Sequence, residues 1–158
     1  MTAEERLEIL RADMDYVTTC LDDLKKDAIK FYFETNQHEM VKAFHKKFGV
    51  PTPDAPTFDF PVDLRLNLIE EEFAEMKAAI AAGDMPEFVD AVCDLLYVVH
   101  GIALAAGIHH LQPFFEEVHI TNMAKAGGKT RADGKIMKPE GWKPPRIAEL
   151  LAERYPDA

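Results

Sequence analysis

Apolar residues return at three- and four-residue spacing in several long segments of this chain. Nowhere do they show the two-residue alternation, bounded by turn residues, that marks a half-buried strand. The pattern predicts an all-α protein. Helices are expected over about residues 3 to 34, 38 to 48, 62 to 82, 86 to 106, 112 to 126 and 145 to 153. The second should stop at Gly49, just ahead of Pro51. The stretch "VPTPDAPTFDFP" that follows carries four prolines, so it reads as an extended connection. "GGKTRADGKIMKPEGWKPP" reads as irregular. With no internal repeat and no low-complexity segment, the expected organisation is a helical extension over residues 1–36 and one domain over 37–158.

On a helical wheel the 62–82 segment sets Ile69, Phe73, Met76 and Ile80 in one apolar stripe. Glu72 and Glu75 flank that stripe on a line shared with Leu68 and Ala79, and Glu71 lies one turn from Glu75. Like charges at this spacing destabilise a helix unless something positive sits among them. The alternative is a solvated acidic face. The next helix weighs against it: apolar residues cover more than half its circumference, while Asp90 and Asp94 share one line with Tyr97 and Gly101. A helix of that kind is expected to be buried, and an unpaired buried carboxylate is rare.

The connection "AAGDMPE" joins the two. Gly83 can end the first helix, and Asp84 with Glu87 three residues later resembles a capping box, with Pro86 in the first turn. A tight antiparallel hairpin follows. Glu72 lies eleven residues before Gly83 and Asp94 eleven after; Glu75 lies eight before and Asp90 seven after. At 1.5 Å per residue the pairs sit within about 2 Å of equal height. Four carboxylates from two helices therefore converge, a set suited to Mg²⁺, or Mn²⁺ in its place, together with waters and phosphates. Glu87, a turn nearer the hinge, serves either as a cap or as a further ligand. A di-iron centre needs histidines three residues after ligand glutamates, and none is present.

Composition narrows the setting. The 158 residues are 47% hydrophobic and 29% charged, enough for a folded core. The net charge of -10 disfavours nucleic-acid partners. The charged N-terminus lacks the apolar core of a signal peptide, Asp90, Asp94 and His100 interrupt the one stretch approaching a membrane span, and the two cysteines show no disulfide or metal-ligand spacing. A soluble, cytoplasmic protein without membrane or nucleic-acid partners is expected, with Cys93 a buried thiol.

Glu71-Glu72-x-x-Glu75, followed on a second helix by Glu87-x-x-Asp90 and Asp94, resembles the acidic motifs of the all-α nucleoside triphosphate pyrophosphohydrolases, the MazG-like group that includes dimeric dUTPases and dCTPases. The resemblance runs from about residue 40 to 145, through "FHKKFG", "DLLYVVHG" and "NMAKAGGKTRADGKIMKPEGWKPP". In many members the second motif's aspartate directly precedes an "LLYV"-like run, which selects Asp94 and puts Ala91 where a glutamate belongs. The other choice is Glu87-x-x-Asp90.

The resemblance implies a MazG-like helical bundle completed by dimerisation, as a homodimer or a dimer of dimers. It implies Mg²⁺-dependent hydrolysis between the α- and β-phosphates of a nucleoside triphosphate, with dUTP and dCTP as first candidates. Glu71, Glu72, Glu75, Asp90 and Asp94 would hold the metal, Glu87 remaining open, and Glu71 or Glu72 would take the proton of the attacking water.

From Lys125 to Arg146 seven basic residues stand against Asp133 and Glu140. The family's Asn-x-x-Lys motif falls on Asn122 and Lys125, which implies contact with sugar and phosphate, although Ala124 replaces the more usual serine. Lys129 and Arg131, in a glycine-containing loop, are placed to close over a triphosphate, and Trp142 either stacks on a base or pins the loop. "GGKT" lacks the earlier glycine and preceding strand of a P-loop. His45, His109 and His110 read as packing or cap residues, and Phe44 and Phe48 as core. The competing function is a non-catalytic helical dimerisation or scaffold module whose carboxylates pair with basic residues of another subunit.

Overall fold

The computed structural model describes residues 14–26 and 36–157, together with Glu4, Glu8 and Arg11, and its helices fall where the periodicity puts them. They are α1 (Gln37–Phe48), α2 (Val62–Ala82), α3 (Met85–Ala105), α4 (Gln112–Met123) and α5 (Ile147–Arg154). Residues 14–26 are helical as well, as are Glu4, Glu8 and Arg11; the remainder of the helix expected over 3–34 lies outside the described residues. The chain is all-α. Strand-like pairing among the described residues is limited to a bridge between Thr130 and Ile136. Two units divide the chain, Met1–Met40 and Val41–Ala158.

Within the larger unit the α2–α3 hairpin is the main structural element. Gly83 adopts φ 69°, a left-handed cap conformation that glycine takes without strain, and its N–H donates to the Ile80 carbonyl at 3.2 Å. The Asp84 carboxylate then accepts from the Glu87 backbone N–H at 3.2 Å and starts α3. We expect Asp84→Ala to lose that cap, at about 1 kcal/mol, and to lower the melting temperature by roughly 2–4 °C in a thermal scan followed by circular dichroism.

At its other end α3 stops at Ala106, where Gly107 turns with φ 77°. A Cβ on Gly107 would lie 2.2 Å from the Ala55 carbonyl oxygen, so the proline-rich connection runs directly over this turn. Thr57 N–H donates to the Ala106 carbonyl at 3.0 Å, and the His109 Nε2 lies 2.7 Å from the Pro53 carbonyl, fixing the connection against the hairpin's open end. His109 is thus a fastening residue, in keeping with its sequence reading. α5 is tied to α4 through Arg146, whose backbone N–H and guanidinium both reach Glu117.

Expectations for four of the helices are corrected. Only half of the expected stripe of α2 packs inward, Ile69 and Met76 being half-buried. Phe73 and Ile80 are 49% and 61% exposed, while the line of Leu68, Glu72 and Ala79 turns in, with Ala79 buried. Secondly, α3 is buried on one side only, through Ala91, Gly101, Leu104 and Ala105; Val89, Leu96 and Val99 face solvent. By length and composition alone it is apolar enough to cross a membrane. Cys93 shares its open side and is exposed, not a buried thiol. Thirdly, Phe44 and Phe48 are not core: 41% and 60% exposed, they stack on one another at 4.5 Å while Val41 and His45 occupy the buried face of α1. Finally, α4 ends at Met123, because the Lys125 and Ala126 N–H groups bond three residues back and Gly127, at φ 84°, leaves the helix.

Candidate active site

Glu72 is the inward-facing member of the acidic set. One carboxylate oxygen, Oε2, is cut off from solvent and has no hydrogen-bond partner among the described residues. Glu71, Glu75, Asp90 and Asp94 stand exposed around it, two from each helix of the hairpin. Burial pushes the Glu72 carboxyl above the usual carboxylate range, and the charges of Glu75, Asp94, Glu71 and Asp90 push it further in the same direction. The hairpin thus sets the four carboxylates that counting from Gly83 puts at matching heights, and Glu71 with them, near enough for the others to act on Glu72.

Glu87 does not figure among the charges acting on Glu72. Its backbone N–H receives the Asp84 cap, and its side chain is exposed. We expect Glu87→Gln to leave Mg²⁺ affinity within about threefold of the parent, whereas Asp94→Asn weakens it by tenfold or more; isothermal titration with Mg²⁺ separates the two.

An orphaned buried oxygen amid four further carboxylates is chemically suited to a hard, oxygen-seeking dication. Among the described residues no three acidic, histidine or cysteine side chains are drawn closely enough together to close around an ion as they stand. The carboxylates form a loose ring and not a preformed cage. Waters and phosphate oxygens would complete the coordination that Mg²⁺ requires.

The basic stretch is organised mostly within itself. Lys125 Nζ donates to Asn122 Oδ1 at 2.6 Å, which unites the two residues of the Asn-x-x-Lys motif at the end of α4. Arg131 is engaged by Asp133, through Nε at 2.9 Å and through a second, shorter contact from Nη2. That pairing holds the Asp133 carboxyl low and the Arg131 guanidinium high. The loop closes on itself where Met137 N–H donates to the Lys129 carbonyl at 2.8 Å, over a Gly128 whose missing Cβ would lie 1.9 Å from the Met137 carbonyl oxygen. Trp142 donates its indole N–H to the Thr121 carbonyl at 2.8 Å and carries Lys138 over its ring at 4.1 Å, so in this conformation the indole pins the loop to α4.

Sequence reasoning passed over Arg65 and used Gly101 only as a position on a line. Arg65 lies seven residues before Glu72 on the same line of α2, its guanidinium half-buried beside Gly101. The signal available was a lone cation two turns along the line that holds Leu68, Glu72 and Ala79.

A helical hairpin with carboxylates on both of its helices, in an all-α chain, is consistent with the all-α pyrophosphohydrolase class of folds. The model of the phosphoribosyl-ATP pyrophosphohydrolase family matches residues 41–122, just over half of the sequence, and spans α2 and α3 whole. The chain belongs to that family, a branch of the MazG-like all-α nucleoside triphosphate pyrophosphohydrolase superfamily. It is also similar to an uncharacterized protein, L479, of Acanthamoeba polyphaga mimivirus, with 34% identity over 82 residues, covering 48% of this chain and 33% of the relative. The chain thus matches about a third of that relative's length.

Proposed function

We propose that this chain is a Mg²⁺-dependent nucleoside triphosphate pyrophosphohydrolase, cleaving between the α- and β-phosphates to release a monophosphate and pyrophosphate. The observation that carries the reading is Glu72: a carboxylate oxygen without solvent or partner, ringed by Glu71, Glu75, Asp90 and Asp94. Family membership supports the same class of reaction, hydrolysis of an acid anhydride on a nucleotide-like substrate.

Glu72, Glu75, Asp90 and Asp94, with Glu71, would hold the metal. When bound, Mg²⁺ supplies positive charge to phosphate oxygens and makes a coordinated water more acidic. Water adds to the α-phosphorus, the bond from it to the α–β bridging oxygen breaks, and pyrophosphate leaves with that oxygen. The proton released by the water passes to Glu71 or Glu72. Lys125 and Asn122, already joined, bind sugar and phosphate at the C-terminal end of α4, and Lys129 approaches the triphosphate from the adjoining loop. Arg131 and Trp142 join them only if the Asp133 pairing and the Thr121 tether give way.

A second copy of the chain covers the open apolar side of the hairpin. Phe73 and Ile80 on α2 and Val89, Leu96 and Val99 on α3 are more exposed than an isolated domain leaves residues of this size in such number. We place the protein in the cytoplasm, a setting consistent with its two free cysteines.

The test is a nucleotide panel with Mg²⁺, including dUTP, dCTP and phosphoribosyl-ATP, scored for monophosphate against diphosphate product. Monophosphate and pyrophosphate in equal amounts are expected. Release from no nucleotide by the intact protein would instead favour a non-catalytic helical module.

A further inference from the structure

Two turns from the acidic ring, toward the open end of the hairpin, Arg65 occupies the same line of α2 as Glu72, about 10 Å away along the axis. It lies over Gly101 of α3. A Cβ built on Gly101 would sit 3.5 Å from Arg65 Nη1 and 3.6 Å from His45 Nε2, so α1, α2 and α3 all meet at this one point. Gly101 is buried, and its missing side chain lets Arg65 and His45 lie directly against the backbone of α3. Beside it the rings of Tyr97 and Phe44 meet edge to face at 5.7 Å, and both are open to solvent.

Among the described residues Arg65 has no counter-ion. Its Nε is cut off from solvent without a hydrogen-bond partner among the described residues. Burial lowers its pKa. A guanidinium offers only donors, so what satisfies it must be an acceptor. The carboxylate ring takes the triphosphate under the reading above. A nucleotide extending from there toward the open end then brings its base against the aromatic rings and its edge against Arg65.

We infer that Arg65, seated on Gly101 beside the Tyr97–Phe44 pair, reads the nucleobase by donating to an exocyclic carbonyl oxygen. It thereby selects keto bases (guanine, uracil, thymine) over adenine and cytosine, whose amino groups at the corresponding edge are donors. This rests on the pyrophosphohydrolase reading and narrows its substrate class. Of the two first candidates it favours dUTP over dCTP.

The experiment measures kcat/KM for dGTP, dUTP, dTTP, dATP and dCTP with Mg²⁺ in the parent, in Arg65→Gln and in Gly101→Ala. The parent should favour keto over amino bases by about tenfold or more. Arg65→Gln, which offers both a donor and an acceptor, should bring the two classes within about threefold of each other, chiefly by raising KM for the keto substrates. Gly101→Ala should raise KM for all five while its melting temperature stays level or rises, since alanine is the better helix former and its methyl group would make only ordinary contacts. Should Arg65→Gln fail to fold, Gly101→Ala, which presses on Arg65, decides, and a KM unchanged in that variant counts against the inference. A parent indifferent to the base, or an Arg65→Gln loss equal across all five, overturns the inference and leaves the reaction standing. Pyrophosphate from none of them removes both.

Discussion

Glu72→Gln is expected to abolish Mg²⁺-dependent pyrophosphate release, by at least about a hundredfold in kcat/KM, while leaving the metal-free fold as stable as the parent or more so. The two effects have one cause. Glu72 is the carboxylate on which the other four act, and without a dication each neighbour makes its charged form less favourable. The amide keeps the shape and removes the charge, so the helices lose a repulsion and the site loses the carboxylate proposed as its innermost ligand. A variant that is inactive because it is unfolded would show the opposite change in melting temperature.

The pH dependence follows with a definite sign. The folded-state pKa of Glu72 is raised above its unfolded value, so proton binding favours the folded state. That contribution is fully present below the unfolded pKa and is lost as pH rises through the folded one. Metal-free protein should lose this share of its stability from acidic toward neutral pH, and Mg²⁺, taking the proton's place, should restore it there. A thermal-shift titration with Mg²⁺ at pH values on either side of the transition reads this directly. The parent should show a growing shift with pH and Glu72→Gln a small, flat one. An equal shift in both would place the bound metal elsewhere.

The second large effect concerns assembly. Phe73→Glu combined with Ile80→Glu should convert a dimeric or larger parent into a monomer, weakening self-association by about a hundredfold or more. Each side chain buried in an interface contributes on the order of 1.5–3 kcal/mol, and each replacement also sets a charge against an apolar surface. Sedimentation velocity at micromolar concentration distinguishes the species. A parent that sediments as a monomer, or a double variant that still self-associates, would show that the exposed face of the hairpin is not where copies meet.

What the sequence determined is what depends on local spacing. The helix positions, the proline-rich connection and the hairpin follow from periodicity and from Gly83, Asp84 and Pro86, because capping and backbone conformation act over a few residues. The facing of the carboxylates was legible for the same reason: a regular rise per residue, reflected at a known turn, fixes heights on both helices.

Which side of each helix turns inward was settled only in three dimensions. A wheel ranks α2's faces by apolarity and so favoured the whole stripe from Ile69 to Ile80, whereas the fold half-buries Ile69 and Met76 together with Leu68 and Glu72, buries Ala79 and leaves Phe73 and Ile80 exposed. Orientation is decided by what the partnering helices supply. The same dependence on distant chain segments explains why the meeting of Arg65, His45 and Gly101, three residues from three helices, leaves no trace in linear spacing. It also explains why Trp142, which sequence left between stacking and pinning, is found tethered to Thr121.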